Sequence, residues 1–356
     1  MLPAPATAPP SPVAAPLPDL PRLRLPPLHR APGTLQFGAD PAHALVVDGL
    51  TPPLARMVEA LDGSRPVARV VADAAAAGAS PGVARGVLDR LRAAGLLAAG
   101  DEPDALAGRR VVVRGAGRVA VAVACLLATA GVGRVLVEAE GTVRGADLGT
   151  GLVADDVGRP AGLAIPDAVA RVAPGSRAPR APSARRWLTA RADLVVLADA
   201  DRPDPVAATR LVLAGRAHLP VALAAGVGTV GPLVVPGRTP CLHCQDLVRT
   251  AEDPAWPRLA AELAGRRSPA QPVALAAATA ALAVAEVLAV LDPAGVAAAW
   301  GATLTLAADG TRGRTPARRH PDCGCDVRLG PSGRSAPARL LPSPAGSQVT
   351  PTVGAA

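Results

Sequence analysis

The chain has 356 residues, half of them hydrophobic, and its net charge of +8 is carried by arginine alone, because lysine, asparagine and tyrosine are absent. That length holds two domains with tails. The arginines are scattered through loops and helices instead of forming one stripe, which argues against a dedicated nucleic-acid or membrane-surface protein.

Met1 to Pro18 is Ala/Pro-rich, with no basic leader region and no apolar run of signal-peptide length, so residues 1–30 are expected to be a disordered tail. Residues 330–356 have the same composition and the same expectation.

Residues 31–100 form one compact pattern. Thr34–Phe37 and Ala44–Val47 are short strand-like runs, and a helix is expected from Pro53 to Leu61. Pro66 opens a second helix carrying Val67, Val70, Val71 and Ala74. Ser80-Pro81 is an N-cap with proline in the first turn. Val83, Val87, Leu88 and Leu91 then share one helical face until Gly95. Leu96-Leu97 reads as a strand after the turn. Short strands, three helices and a closing strand describe a small α+β winged-helix module, followed by an acidic linker at residues 101–107.

From residue 108 to 329 the pattern is α/β. Arg110–Val113 is a buried strand, Gly115-Ala116-Gly117 a tight turn, Val119–Ala130 a helix and Val135–Val137 the next strand. Leu194–Leu197, Val221–Ala224 and Leu233–Val235 continue the series. Alternating strands and helices predict a Rossmann-like, doubly wound, mostly parallel sheet. Strand, Gly-x-Gly turn, helix, strand and an acidic residue is also the plan of a nucleotide site. The glycines let the backbone approach phosphates, the helix N-terminus favours their charge, and Glu138 stands where a carboxylate meets ribose hydroxyls. The third glycine of the fingerprint is missing. Pro272–Leu291 is long enough to cross a bilayer, but it is alanine-rich and carries Glu286, so it is expected as a buried helix of the α/β domain.

Four of the five cysteines fall in two tight pairs, Cys241-x-x-Cys244 and Cys323-x-Cys325, both in Gly/Pro-rich turns. Two such turns give the tetrahedral thiolate set that zinc favours, a closed structural site. Two disulfides are the competing use; a reducing, cytoplasmic setting and the strain of bridging adjacent cysteines disfavour them. His243 and His320 flank the pairs as substitute ligands. Cys125 lies in an apolar helix and reads as core, as does His218 at a strand entry. Trp256, in Asp253-Pro-Ala-Trp-Pro257, reads as a packing anchor. Asp155-Asp156 reads as a solvated pair. No Ser-His-Asp arrangement and no carboxylate pair on a helix face is present, so no catalytic residue is assigned.

The run from Val111 to Ala164, with GVGRVLVEAEGTVRGADLG and DDVGRPAGLA, resembles the ThiF-like, ubiquitin-activating-enzyme-like adenylyltransferases. The later order of Asp193-Leu-Val-Val, Gly231-Pro-Leu, Cys241-x-x-Cys244 and a distal cysteine pair does so too. The resemblance covers about residues 108–328. It implies ATP phosphates on the turn of Gly115 and Gly117, ribose on Glu138, and magnesium on Asp199, with Asp201 a competing register. The chain departs from the family at the charged positions. Asp147-Leu-Gly-Thr-Gly151 stands where Asn-Leu-x-Arg-Gln is usual, so Thr150 replaces the arginine, and Ala161 stands in place of the lysine. Arg118 and Arg144 are the nearest cations. An acceptor cysteine has no counterpart.

A winged-helix module before such a domain, with GPLVVPGRTPCLHCQDLVR and a terminal HPDCGC, resembles the actinobacterial leader-peptide-binding scaffolds of azole-modified peptide biosynthesis. The resemblance implies a RiPP recognition element. It would bind a ribosomal precursor peptide by strand addition at Ala44 and Val46 and on the helix face of Val83, Val87 and Leu91, and pass it to a partner cyclodehydratase, with homodimerisation usual. The rival readings are an active adenylyltransferase that uses ATP and Mg2+ to activate a carrier-protein C-terminus, and a DNA-binding winged helix reading through Arg85, Arg90 and Arg92.

Overall fold

The computed structural model describes residues 17–40, 44–98, 106–176, 192–267, 271–292 and 295–326. Residues 1–16 of the tail expected at 1–30, the tail expected at 330–356 and most of the acidic linker lie outside them. The chain divides into two compact units, residues 1–102 and 103–356.

In the first unit, β2 (Pro27–Ala31), β3 (Thr34–Phe37) and β4 (Leu45–Val47) form an antiparallel sheet in that order, and β1 (Arg22–Leu23) pairs with β5 (Leu97–Ala98). Between them run α1 (Pro52–Glu59), α2 (Val67–Ala76) and α3 (Pro81–Ala93). Leu35 and Phe37 from the sheet pack with Leu54, Val58, Val70, Leu88 and Leu91 from the helices in one core. The tail expected at residues 1–30 is corrected in its second half, where Arg22–Leu23 and Pro27–Ala31 are strands. Leu23 finds a distant partner in Leu97, and Pro27 pairs with Phe37 in a hairpin that turns at Gly33, and the two pairings draw residues 22–31 into the fold. No local pattern marks the first of them.

In the second unit, β6 (Arg110–Arg114), β7 (Arg134–Glu138), β8 (Leu194–Ala198) and β9 (His218–Ala224) are parallel neighbours in the order β9-β8-β6-β7. β10 (Val227–Val230), β11 (Ala302–Ala307) and β12 (Arg312–Pro316) extend the sheet antiparallel beyond β9. The parallel half needs no alternation because both faces are covered: Val111, Val112 and Val113 are all buried. The expected strand at Leu233–Val235 makes only isolated bridges, Leu233 to Trp300 and Val234 to His218. Pro232 has no amide to give a ladder at its start.

The apolar helix α4 (Arg118–Thr129) follows β6 and is buried along nearly its whole length. α5 (Ala161–Val172) packs beside it. α6 (Pro205–Leu213) covers the other face through Ala207 and Leu211. α7 (Leu242–Glu252) and α8 (Trp256–Leu263) carry the chain to α9 (Val273–Leu291). α9 is long and apolar enough to cross a membrane. Its Ala276, Ala280, Ala283 and Val287 are fully buried, packing on α4 and on β9 and β10, and the buried Glu286 accepts the amide of Ala299 at 2.7 Å. It is a core helix of this unit. From β6 the chain goes to β7 on one side and returns to β8 on the other. The sheet's switch point therefore lies between the carboxyl ends of β6 and β8, where such sheets hold ligands.

Candidate functional site

At that switch point the turn Gly115-Ala116-Gly117 leaves β6 and enters α4. Gly115 has φ +152°. A Cβ there would stand 2.8 Å from a carboxylate oxygen of Asp199, and one at Gly117 would meet the other oxygen at the same distance. Both glycines are thus required by close approach. What approaches is Asp199, one residue beyond β8. Its carboxylate accepts from the amides of Gly117 at 2.7 Å and of Val119 and Ala120 at 3.2 Å. An internal anion sits on the helix N-terminus, where those amides and the helix dipole favour negative charge. Asp199 holds φ +65°, left-handed for a residue with a Cβ. Burial pushes its carboxyl upward in pKa, while the three amides and Arg267 pull the other way.

Glu138 closes β7 beside the turn. Together with Arg114, Gly115, Ala198, Asp199 and Arg267 it lines a cavity of about 180 Å³. Neither of its carboxylate oxygens has a partner among the described residues, although both are buried. Burial, first, and Glu140 raise its pKa to about 7, against the pull of Arg114. Orphaned buried acceptors cost on the order of 1–3 kcal/mol each and call for an explanation. A ligand offering hydroxyl donors supplies one, and a ribose does so. The chemistry of the pocket fits a nucleotide: glycines under the phosphate position, an unpaired acceptor at the ribose position, and arginines beside them.

A second, smaller cavity on the far side of the turn is lined by Arg118, Arg144, Asp147, Asp199 and Arg267. Thr150 and Ala161 supply no charge there. The Thr150 hydroxyl donates to the carbonyl of Arg118 at 2.7 Å, and Ala161 is fully buried. Arg118 donates to the carbonyls of Leu148 and Gln271. Arg144 binds Asp147, whose other partner is Arg267 at 2.8 Å. Sequence reading missed Arg267, and with reason. It reaches the site because residues 264–267 pair with residues 200–202, through bridges of Ala200 with Arg267 and Arg202 with Ala264 and a 2.8 Å bond from the Asp201 amide to the Arg266 carbonyl. Asp201 faces Arg266 in an ion pair at 3.8 Å, away from the glycine amides, so Asp199 is the register that reaches the turn.

Cys241 is the N-cap of α7, Cys244 sits in its first turn, and Cys323 and Cys325 lie at a short 3-10 turn, Gly324–Asp326. Their four sulfurs lie within 4.8 Å of one another. The Cys241–Cys244, Cys241–Cys323 and Cys244–Cys325 separations are 3.9, 3.6 and 3.5 Å. A tetrahedron of sulfurs about 2.3 Å from a zinc ion has edges of roughly 3.8 Å. These distances fit a metal centre and are far longer than a disulfide bond. Burial holds the Cys241 thiol well up and raises Cys323 to about 11, which a bound cation would reverse. His243 and His320 are outside the set; the His320 ring accepts the Asp322 amide at 3.2 Å.

In the first unit the five candidate peptide contacts separate. Val87 and Leu91 are buried in the core, whereas Val46 and Val83 are 44% and 48% exposed. Register settles the sides of β4. Leu45 pairs with Phe37 and Val47 with Leu35, the two core-facing residues of β3. Alternation then puts Leu45 on the helix-facing side and Ala44 and Val46 on the outer face. Leu45, within the candidate strand but not singled out on it, is thus its exposed helix-side residue. The remaining singled-out residues are structural. Cys125 and His218 are buried, Asp156 is held in the interior by Arg159 and Arg171 at 2.6 Å, and Trp256 donates to Asp246 at 3.0 Å beneath Arg249. Asp156 is accordingly a buried hub, not a solvated residue.

Solved structures share this architecture. E. coli MccB with ATP superposes with a TM-score of 0.63 at 17% identity, over 86% of this chain and 99% of that one. The microcin C7 biosynthetic enzyme MccB in complex with N-formylated MccA gives the same values. PaaA gives a TM-score of 0.54 at 13% identity, over 82% of this chain and 97% of that one. Comparison with curated protein sequences finds no match. The ThiF family model matches residues 91–327, well over half of the chain, and with the glycine turn, the switch-point cavity and the cysteine cluster inside that span, this chain belongs to the ThiF family.

Proposed function

We propose that this protein binds a ribosomally made precursor peptide through its first unit and serves, with its ThiF domain as scaffold, to present that peptide to a partner cyclodehydratase. The observation that carries the reading is β4, an edge strand of the first unit's sheet, with Leu45 and Val46 exposed on its two faces and Val83 exposed on α3. An edge strand offers main-chain hydrogen bonds to an added strand, and flanking apolar side chains set its register. The neighbour MccB, a microcin C7 biosynthetic enzyme, forms a complex with N-formylated MccA, which supports a macromolecular ligand of this kind here. The four-cysteine cluster is read as structural zinc, a closed site that staples α7 to the 3-10 turn and leaves no position open for chemistry. Titrating the purified protein with a leader peptide encoded beside its gene tests the reading, and no binding at micromolar concentration sinks it.

A second reading, nucleotide-dependent activation of a peptide carboxylate, is favoured by one observation: the two orphaned oxygens of Glu138 beside the glycine turn. ATP would supply the leaving pyrophosphate, with Glu138 holding ribose hydroxyls, the amides of the turn and the arginines holding phosphate charge, and Asp199 standing at the family's magnesium-binding position. ATP–pyrophosphate exchange in the presence of the peptide decides it; absence of exchange removes the enzyme.

A further inference from the structure

Resting on the nucleotide reading of the switch-point cavity, we propose that Asp199 and Arg267 form an anion-exchange gate on the glycine turn. In the free protein the Asp199 carboxylate holds the amides of Gly117, Val119 and Ala120; a polyphosphate takes its place on them; and Arg267 is the cation that neutralises the incoming charge.

The argument begins with the donors. The amides at the start of α4 are those a phosphate would use, and the Asp199 oxygens already occupy them at 2.7–3.2 Å. With those oxygens 2.8 Å from where either glycine would place a Cβ, the turn has no room for a carboxylate and a phosphate together. One anion must leave for the other to enter. Asp199 is poised to leave, because its left-handed backbone is held in place by these amide bonds.

The cation is argued from position. Among the residues lining the two cavities, Asp199 and Arg267 are shared by both. Arg267 Nη2 lies 3.1 Å from the point a Gly117 Cβ would reach, so it stands at the turn beside the Asp199 carboxylate. Its partner in the free protein is the buried Asp147, at 2.8 Å. Arg118 is tied to two main-chain carbonyls and Arg144 turns to Asp147. A guanidinium matches phosphate in two-pronged geometry. Arg267 thereby fills, from the segment after α8, the charge that Thr150 and Ala161 do not provide.

The test is calorimetric titration of the full chain with inorganic tripolyphosphate and with ATP, both without added magnesium and without chelator, so that the cysteine cluster is left as it is. Asp199→Asn keeps the shape and tolerates a left-handed backbone, and Asp199→Gly removes the side chain altogether. Both are expected to bind tripolyphosphate more tightly than wild type, Asp199→Gly by about tenfold. Adding Arg267→Ala to either is expected to weaken binding by about tenfold, with Arg267→Lys between. Equal affinity of wild type and both Asp199 variants overturns the gate, and an Arg267→Ala variant that binds as its parent overturns the cation. ATP binding that is indifferent to all four substitutions defeats this proposal while leaving the nucleotide reading intact. No binding of either probe by any variant defeats both.

Discussion

The carboxylate of Asp199 lies 2.7 Å from the amide of Gly117, across 82 residues of sequence, and caps the helix that opens the ThiF domain. A nucleotide fold without ligand leaves the first amides of this helix unsatisfied; here the chain satisfies them with its own anion. Asp199→Ala loses the cap, worth about 1 kcal/mol, and keeps a left-handed backbone that alanine tolerates poorly, for roughly another 1–2 kcal/mol. Asp199→Gly loses only the cap. Denaturant unfolding is therefore expected to rank wild type above Asp199→Gly and Asp199→Gly above Asp199→Ala. Equal stability of the two variants would show that the backbone strain is absent.

The cysteine cluster predicts metal dependence. Replacing Cys241 or Cys244 with serine removes a ligand whose sulfur lies 3.5–3.9 Å from its neighbours. Elemental analysis should find about one zinc per chain in wild type and about none in either variant. A metal present at 100–1,000 times its dissociation constant contributes about 2.7–4.1 kcal/mol. Its chelation should then lower the melting temperature by roughly 5–15 °C for a domain of this size. Full stability after complete metal removal would assign the thiols no structural role.

These two sites differ in how far the sequence revealed them. The cysteine pairs were legible because ligand spacing within each turn is local. The Gly-x-Gly turn, Glu138 and the parallel strands were legible because a buried valine strand followed by a glycine turn is a short-range pattern. Arg267 was not, since its place depends on residues 264–267 pairing with residues 200–202. The first strand was hidden for the same reason: Arg22–Leu23 finds its partner at Leu97–Ala98. β10 and β11 were missed although β11 alternates Thr and Leu, a strand pattern that the reading did not use. On β4 the strand was found and its sides were not, because which of Leu45 and Val46 faces the helices is fixed by pairing with Phe37 and Gln36.

That register gives a prediction for peptide capture. Leu45→Glu and Val83→Glu place charge at the two exposed apolar positions proposed to flank the added strand, and burying such a side chain is worth about 1.5–3 kcal/mol. Each should weaken leader-peptide binding by roughly tenfold or more, read by fluorescence anisotropy. Both residues are largely exposed, Leu45 at 40% and Val83 at 48%, so unfolding midpoints should hardly move. Unchanged affinity in both variants would place the peptide elsewhere.

Glu138 gives a pH dependence whose sign follows from its burial. Its folded pKa of about 7 lies above the unfolded value near 4.3. Between those values the folded chain holds a proton that the unfolded chain has released, so stability falls as pH rises through the window. Above the folded value the charged carboxylate is present in both states and its penalty is complete. Glu138→Gln is neutral throughout and removes this slope. The melting temperature of wild type minus that of Glu138→Gln should therefore decrease from pH 5 to pH 7.5 and level off by pH 8. A ligand that donates ribose hydroxyls to the orphaned oxygens favours the charged form and should flatten the wild-type slope, whereas inorganic tripolyphosphate, which carries no ribose, should not flatten it. A difference that stays constant over this range would mean that Glu138 titrates as an ordinary solvated carboxylate, and its claim as the ribose acceptor would fall with it.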